Sequence, residues 1–325
     1  MTQRRVGVLM GGWGEEREIS MKTGEAIAAA LERLGHSVHR IVADSGLDRS
    51  VRAEAIDVAF LALHGRMGED GKVQGLLEVM GIPYTGSGVL ASALAMNKNV
   101  AKKLFRQHNL ATPHGYVVSP AELSRLDELQ VDLGFPCVVK PAQGGSSIGM
   151  SLVANADELF SAVAQACRYG GEAVVERYVK GREVTVGLLG GEVLGSLEVR
   201  HASATFDAAA KYGGSEVTYH LPPLLPTTRV ANLEAMALSA YRALGCRGPA
   251  RVDFICPDVG NEVLLEVNTL PGMTATSLFP KIARHRGLGF DALCERVLAL
   301  AGNDAVEVGS AVVAPPRAVP ERSLA

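Results

Sequence analysis

The sequence predicts an α/β protein in which an N-terminal Rossmann-like unit is followed by two further domains. The chain has 325 residues, of which 47% are hydrophobic, and this is enough to bury two or three cores. The N-terminal residues have a strand–loop–helix pattern, and residues 251–268 have a β-hairpin pattern. We expect domains at residues 1–96, 97–182 and 183–303, followed by a disordered tail at residues 304–325 that contains three prolines.

Composition excludes several classes of protein. A formal net charge of -3 indicates no basic surface of the kind that nucleic-acid binding needs. The five cysteines stand singly, so neither a disulfide framework nor a zinc site is indicated. The apolar run near the N-terminus is too short for a signal peptide or a membrane span. We therefore expect a cytoplasmic protein with no nucleic-acid or membrane partner.

Three strands and one helix define the predicted N-terminal unit. The strands are expected at Val6–Met10, Ser37–Val42 and Asp57–Leu63. The helix is expected at Glu18–Leu34, where alanine, isoleucine and leucine recur with helical spacing. Because the third strand is a continuous apolar run, it is typical of a parallel sheet that is covered on both faces.

The loops at residues 11–17 and 64–71 follow the carboxyl ends of two strands, where open α/β sheets bind ligands. The first loop is not a dinucleotide fingerprint, because Arg17 stands where the third glycine of G-x-G-x-x-G is needed. Glu16 and Glu69 instead place carboxylates at this edge, and these suit an ammonium group. The alternative is that both are helix N-terminal carboxylates that the helix dipole stabilises.

The middle segment contains a candidate phosphate-binding loop. A strand at Phe135–Pro141 delivers Lys140 to a run of small residues at 142–150, after a helix that ends near Gln107. Small residues let backbone N–H groups approach a phosphate, and the lysine adds positive charge. No G-x-x-x-x-G-K-[ST] motif occurs, so this is not a P-loop. A glycine-rich lid over a triphosphate and a plain hairpin loop both stay open. A further strand is expected at Ala173–Val179.

The third segment contains a long stretch with little periodicity. It begins with a strand at Gly181–Leu189 and includes helices at Arg229–Gly245 and Phe290–Ala301. Residues 203–226 lie between these elements and include basic and aromatic side chains. Loops of that length in compact domains are functional or disordered, and this composition favours a functional lid.

Two alternating runs at residues 251–256 and 262–268 predict a β-hairpin with one apolar and one charged face. If the charged faces coincide, the oxygens of Asp253, Glu266 and Asn268 converge without a cysteine or histidine among them. Such an all-oxygen set suits Mg2+ or Mn2+ shared with phosphate oxygens. The alternative is a solvated face of an ordinary hairpin.

Seven segments taken together resemble the D-alanine:D-alanine ligase family of the ATP-grasp superfamily. They are EREIS at 16–20, LHGRMGEDG at 63–71, YTGSG at 84–88, VVKPAQGGSSIGM at 138–150, KY at 211–212, RVD at 251–253 and LEVNTLPGMT at 265–274. The resemblance runs from about residue 5 to residue 302. It implies a three-domain ATP-grasp architecture with an N-terminal preATP-grasp unit. It also implies ATP-dependent ligation of two D-alanines through an acyl phosphate, for peptidoglycan synthesis, by a homodimer that uses two Mg2+ (or Mn2+) ions.

The resemblance assigns roles to particular residues. The metal ligands would be Asp253, Glu266 and Asn268. Contacts with the nucleotide would come from Lys98, Lys140, Gly145, Ser146, Ser147, Glu176, Arg177, Tyr178, Val179, Glu183 and Lys211. The D-alanines would contact Glu16, His64, Lys211, Arg251, Ser277 and Leu278. Catalytic groups would be Glu16, Ser146, Tyr212, Arg251 and the backbone N–H of Gly272.

Two other functions stay open from the sequence. One is a different carboxylate–amine ligase of the same superfamily, against which Glu16, His64 and the Lys211-Tyr212 pair argue. The other is a Rossmann-type oxidoreductase that binds its nucleotide at residues 11–14. Bound NAD(P) would favour the second, and bound ADP with metal ions would favour a ligase.

Overall fold

The computed structural model describes residues 3–126, 133–201 and 217–304, so Lys211, Tyr212 and nearly all of the predicted tail lie outside it. Its α-helices are α1 (Arg17–Arg33), α2 (Leu47–Glu54), α3 (Lys72–Val79), α4 (Val89–Met96), α5 (Lys98–Gln107), α6 (Ala156–Gly170), α7 (Thr227–Ala243), α8 (Leu278–His285) and α9 (Phe290–Ala299). Its strands are β1 (Arg5–Gly11), β2 (Ser37–Ala43), β3 (Val58–Leu61), β4 (Gly115–Val118), β5 (Cys137–Pro141), β6 (Ser151–Val153), β7 (Ala173–Arg177), β8 (Arg182–Leu189), β9 (Glu192–His201), β10 (Val217–His220), β11 (Pro249–Cys256) and β12 (Val263–Asn268).

The first sheet is parallel, with the strand order β2-β1-β3, as the three apolar runs predicted. Helix α1 packs closely on it, because a Cβ at Gly24 would lie only 2.5 Å from the Cβ of Met10. A side chain at Gly24 would therefore push the helix away from the sheet. Arg17, which stands where a dinucleotide fingerprint needs its third glycine, turns back and donates a hydrogen bond to the carbonyl of Gly12 at 3.0 Å.

The other two sheets are antiparallel. The second has the order β4-β7-β5-β6, and the third has the order β10-β9-β8-β11-β12. The predicted hairpin is confirmed as β11–β12, with Arg251 opposite Asn268 and Asp253 opposite Glu266. The register shifts directly after Asp253, so the charged face ends there.

Shared hydrophobic cores hold the sheets together. One core joins the first sheet to the third through α1, α8 and α9, and includes Val8, Leu197, Phe279 and Val297. A second joins α5 and α7 to the third sheet, with Phe105 at its α5 side. Because these cores bridge elements far apart in the chain, they fix the edges of the sheets relative to one another.

The sequence patterns did not predict several of the helices and strands, namely α2, α3, α4, α6, α8, β4, β9 and β10. Strand β10 lies within the stretch at 203–226 that we predicted as a lid, and it pairs with β9. That part of the prediction is wrong, and residues 202–216 lie outside the described part of the chain. In the three described ranges, no helix has the length and apolar character to cross a membrane.

Candidate active site

A cavity of about 500 Å³ lies between the second and third sheets, within the size range of about 300–1,000 Å³ that is typical of ligand sites. It brings together most of the residues expected to contact a nucleotide or a metal ion. Those that line it are Lys98, Lys140, Gly145, Ser147, Glu176, Arg177, Tyr178, Val179, Glu183, Asp253 and Glu266.

The charged face of the hairpin forms one side of this cavity. Arg251 donates to both carboxylate oxygens of Asp253, with two hydrogen bonds of 2.9 Å. Thr185 donates to Asp253 Oδ1 at 2.6 Å, and the amide of Asn268 donates to Asp253 Oδ2 at 3.0 Å. Carboxylate and carboxamide groups therefore meet on one face, so the two charged faces of the hairpin coincide.

This donor set fits a hard divalent cation. In the described ranges, no group of three His, Cys, Asp and Glu side chains could hold a metal ion. A metal site here therefore depends on the carboxamide oxygen of Asn268 in addition to Asp253 and Glu266. Oxygen ligands of this kind are those that Mg2+ takes when it also binds phosphate oxygens.

Glu266 is ionised over a wide pH range. Burial alone would raise its pKa, but Lys98, Lys140 and Arg251 outweigh that effect and lower the pKa to about 2. Lys98 Nζ lies 3.3 Å from the nearer carboxylate oxygen. The carboxylate is therefore ionised at neutral pH, as a metal ligand must be, and its partner in the structure is the ammonium of Lys98.

Two buried lysines share the carboxylate of Glu176 in the second sheet. Lys140 Nζ lies 2.7 Å from one oxygen, and Lys102 Nζ lies 2.6 Å from the other. Burial alone would lower the pKa of Lys140, but Glu176 and Glu266 outweigh it and raise that pKa. Glu176 therefore forms an ion pair with each lysine, and it also lines the cavity in which we expect it to contact the nucleotide.

The glycine-rich loop at residues 142–150 is anchored at one end and strained in its middle. Lys98 Nζ donates to the carbonyl of Gly144 at 2.6 Å, and the Lys98 backbone N–H donates to the carbonyl of Ala142 at 2.9 Å. Ser146 and Ser147 have positive φ values of +50° and +57°, a region that is costly for residues other than glycine. Such strain at a loop that lines a cavity is a feature of ligand clamps.

Glu16 reaches this loop from the first sheet. Ser146 donates a hydrogen bond from its hydroxyl to the Glu16 carboxylate. Burial, and then the neighbouring Glu69, raise the pKa of Glu16 despite this hydrogen bond. Although Glu16 precedes α1, its side chain makes no capping hydrogen bond with the helix. The hydrogen bond to Ser146 therefore fixes its orientation, while a helix dipole acts without a capping bond, so the alternative of a dipole-stabilised carboxylate stays open.

His64 is held beside Glu16 by two partners. One ring nitrogen, Nε2, lies 3.2 Å from the hydroxyl of Thr23. The other, Nδ1, lies 3.3 Å from Glu69 Oε1. Both ring nitrogens are thus engaged, and Glu69 acts as a support for the imidazole as well as a neighbouring negative charge.

The turn after β12 places Gly272, Ser277 and Leu278 together. The backbone N–H of Thr274 donates to Ser277 Oγ at 3.1 Å, and a Cβ at Gly272 would approach that oxygen to 3.0 Å. Ser277 precedes α8 and makes no side-chain capping bond. Because the N-terminus of a helix attracts negative charge, Leu278 at the start of α8 suits a carboxylate.

Sequence reasoning missed other residues that the fold brings to the cavity. Arg182, Glu198, Arg200 and His201 line it from β8 and β9. The nearest ring nitrogen of His201 lies 3.6 Å from Glu183. The sequence carried little signal for Glu198, Arg200 and His201, since β9 was not predicted as a strand.

A cavity between two antiparallel sheets, with lysines and a glycine-rich loop facing an acidic hairpin, places the protein among the ATP-grasp ligases. The family model "D-ala D-ala ligase C-terminus" matches residues 104–299, and "D-ala D-ala ligase N-terminus" matches residues 42–87. The chain belongs to the D-alanine–D-alanine ligase family.

Individual relatives agree with this. The D-alanine–D-alanine ligase of Anaeromyxobacter sp. (strain Fw109-5) is 50% identical over 297 residues, which is 91% of this chain and 96% of the relative. Two crystal structures of D-alanine–D-alanine ligase from Bacillus anthracis are also similar. One, at 37% identity, has a TM-score of 0.83 and covers 94% of this chain and 99% of that one. The other is a complex with ATP, at 35% identity, with a TM-score of 0.80 and coverage of 95% and 99%.

Proposed function

We propose that this protein joins two D-alanine molecules into D-alanyl-D-alanine, with cleavage of ATP to ADP and phosphate, to supply peptidoglycan synthesis. The observation that carries this proposal is the hydrogen bond between Ser146 and Glu16, which links the glycine-rich loop to the N-terminal sheet. An amino-acid site at Glu16 would thereby lie beside the loop that covers the phosphates. Family membership supports the same substrate.

In this proposal, the nucleotide occupies the cavity between the second and third sheets. Lys98 and Lys140 contact its phosphates, and the backbone at residues 145–147 closes over them. Arg177, Tyr178 and Val179 border the base, and Glu183 contacts the ribose. Lys211, which lies outside the described residues, would complete the phosphate contacts.

Asp253, Glu266 and Asn268 would hold two Mg2+ (or Mn2+) ions. When bound, such ions neutralise the polyphosphate and the charge that develops during phosphoryl transfer. Until then, Arg251 supplies the positive charge next to Asp253, and Glu266 stays ionised. The chain's own residues therefore keep the acidic face charged and ordered before any cation arrives.

The two amino acids would lie between the hairpin and the first sheet. Glu16 binds the ammonium of the first D-alanine, near His64. Arg251 and the backbone N–H of Gly272 stabilise oxyanions. The carboxylate of the second D-alanine is held by Lys211, Ser277 and the N–H of Leu278. A hydrogen-bond chain of Tyr212, Ser146 and Glu16 would order the loops over both subsites.

This arrangement answers the chemical difficulty of amide formation. A free carboxylate is a poor acyl donor, so a carboxylate oxygen of the first D-alanine takes the γ-phosphoryl group of ATP, and ADP leaves. The amine of the second D-alanine, after losing a proton, attacks the carbonyl carbon. The tetrahedral intermediate then expels phosphate and leaves the dipeptide. Closure of the loop at 142–150 keeps out water, which would hydrolyse the acyl phosphate.

The test is phosphate release from ATP in the presence of D-alanine, L-alanine or no amino acid, with the product identified by mass. We expect release and dipeptide only with D-alanine. Equal release in all three reactions would refute the substrate assignment. A product made only with a different amine would assign the chain to another ligation reaction.

The proposal extends to the setting of the protein. We propose that it acts in the cytoplasm as a homodimer, with domains at residues 1–96, 97–182 and 183–303. Light scattering of the purified chain tests the dimer, because a monomer has half the expected mass. Limited proteolysis tests the boundaries, which we expect near residues 96 and 182.

A further inference from the structure

The carboxylate of Glu176 is shared by two lysines that face different parts of the molecule. Lys140 belongs to β5 and lines the nucleotide cavity. Lys102 belongs to α5 and lines a separate, smaller cavity of about 240 Å³ on the other side of Glu176. All three side chains are at most 11% exposed, so their charges act on one another with little screening by solvent.

The net charge of this buried group depends on Lys102. With both lysines protonated and Glu176 ionised, the three side chains carry a net charge of one positive unit. If Lys102 were absent, Glu176 would pair with Lys140 alone, and the pair would be neutral. A neutral pair attracts a phosphate much less than a cluster with one excess positive charge.

We propose that Lys102 is a positioning residue for nucleotide binding: it engages one oxygen of Glu176 and thereby leaves Lys140 with positive charge to direct at a phosphate. This inference rests on the proposed function of the larger cavity as a nucleotide site. It concerns a residue that does not line that cavity.

The surroundings of Lys102 make its charge sensitive to pH. Burial, followed by the nearby charge of Lys140, lowers the pKa of Lys102 to about 8, and Glu176 only partly offsets this. Lys140 keeps its proton to higher pH, since Glu176 and Glu266 raise its pKa. The charged and titratable groups near Lys102 are Lys140 on β5, Glu176 on β7, Glu266 on β12, Tyr116 on β4, and Lys103 and Arg106 on α5.

The first test compares Lys102→Met with Lys103→Met, which removes the exposed neighbouring lysine. Binding of ADP and of adenosine to each variant is measured by calorimetry. We expect Lys102→Met to weaken ADP binding by about tenfold and to leave adenosine binding unchanged, because only ADP carries phosphate. Lys103→Met should change neither. Equal losses for ADP and adenosine, or no loss at all, would overturn the proposal.

A double variant separates charge from packing. In Lys102→Met/Glu176→Gln, Lys140 is the only charge left of the three, so one net positive unit is restored. Because Glu176 also lines the nucleotide cavity, the readout is ADP affinity relative to adenosine affinity, and we expect this ratio to recover towards that of the wild type. If Lys102 served only to fill space, the second substitution would not restore this ratio, and a ratio no higher in the double variant than in the single one would refute the charge argument.

A pH profile keeps the proposal testable even if Lys102→Met does not fold. Above about pH 7.5 the phosphates of ADP are fully ionised, so changes in affinity report on the protein. In the wild type, ADP affinity should fall by about tenfold between about pH 7.5 and 9.5, as Lys102 loses its proton. Lys102→Arg keeps its charge, and the adjoining cavity has room for the larger side chain, so its profile should be flat.

Identical profiles for the wild type and Lys102→Arg would contradict the role of Lys102. A wild-type protein that bound neither ADP nor adenosine would instead refute the nucleotide site itself.

Discussion

Gly65 lies in the loop after β3, at a point where the backbone meets the side chain of Glu16. Its φ is +67°, and a Cβ there would lie 2.0 Å from Glu16 Oε2. Gly65→Ala should therefore displace the Glu16 carboxylate as well as strain the backbone. Gly81 offers a matched control, because its φ is +69° and nothing lies within 4 Å of its Cβ position.

The two substitutions should share the same backbone cost to folding but differ in their effects on binding. Alanine in the left-handed region costs about 1–2 kcal/mol in the free energy of folding, and both variants incur this. Only Gly65→Ala moves the group that we expect to bind the substrate ammonium. A hydrogen bond between charged partners contributes about 1.5–3 kcal/mol, which corresponds to about a 10- to 150-fold loss of affinity.

The assay measures KM for D-alanine at saturating ATP, the dissociation constant of ADP, and unfolding in urea for both variants. We expect Gly65→Ala to raise KM for D-alanine within that range and to leave ADP binding unchanged. Gly81→Ala should lose similar stability and keep the wild-type KM. If both variants bind D-alanine as the wild type does, Glu16 either does not hold the substrate or moves away without consequence, and the assignment is refuted.

Three further predictions concern charge. Glu266→Gln should abolish turnover, because the acidic face loses a carboxylate whose pKa is about 2. The fold, measured by circular dichroism, should be retained. Near-normal activity at limiting Mg2+ would contradict the metal assignment. Lys140→Ala should weaken ADP binding more than D-alanine binding in parallel titrations, and unchanged ADP affinity would remove Lys140 from the phosphate site. The pKa of Glu16 is raised above its ordinary value of 4.5. As the pH is lowered, the Glu16 carboxylate should therefore take up a proton, and the affinity for D-alanine should fall, at a higher pH than an ordinary glutamate would give. The profile of Glu16→Gln should lack this acidic limb, and a limb retained in that variant would assign the titration to another group.

The hairpin shows why part of the site could be predicted from the sequence. Strand alternation fixes which side chains share a face, and a short turn fixes which residues lie opposite one another. A register continued without a shift from the Phe254–Leu264 pair would put Leu265 opposite Asp253, and the structure pairs Asp253 with Glu266 because the register shifts between Asp253 and Phe254. The coincidence of the two charged faces was therefore not predictable, whereas the alternation within each strand was. The strands and the helix of the first sheet were predictable for the same reason, since their apolar spacing is a local property of the chain.

Lys102 shows why the rest could not be predicted. A lysine four residues after Lys98 on an amphipathic helix is typical of a solvated face, and nothing local distinguishes it. It is buried only because α5 packs where β5 and β7 bring Lys140 and Glu176. Strand β9 was missed for a different reason: Gly195, with φ of +139°, lies next to an irregularity in its pairing with β8 that interrupts the alternation.

Lys98 indicates which part of the glycine-rich loop is free to move over a ligand. Its backbone and side chain bind the carbonyls of Ala142 and Gly144, so the first half of the loop is anchored to α5. Beyond that point, the backbone N–H groups of Ile148 and Met150 donate to carbonyls within the loop itself. Movement of residues 145–150 would therefore break few bonds to the rest of the protein.

Because the same Lys98 ammonium lies 3.3 Å from Glu266, the fixed end of the loop and the acidic hairpin meet at one cation. A phosphate that binds there would replace Glu266 or Gly144 as its partner, and nucleotide binding would in this way be coupled to the position of the loop.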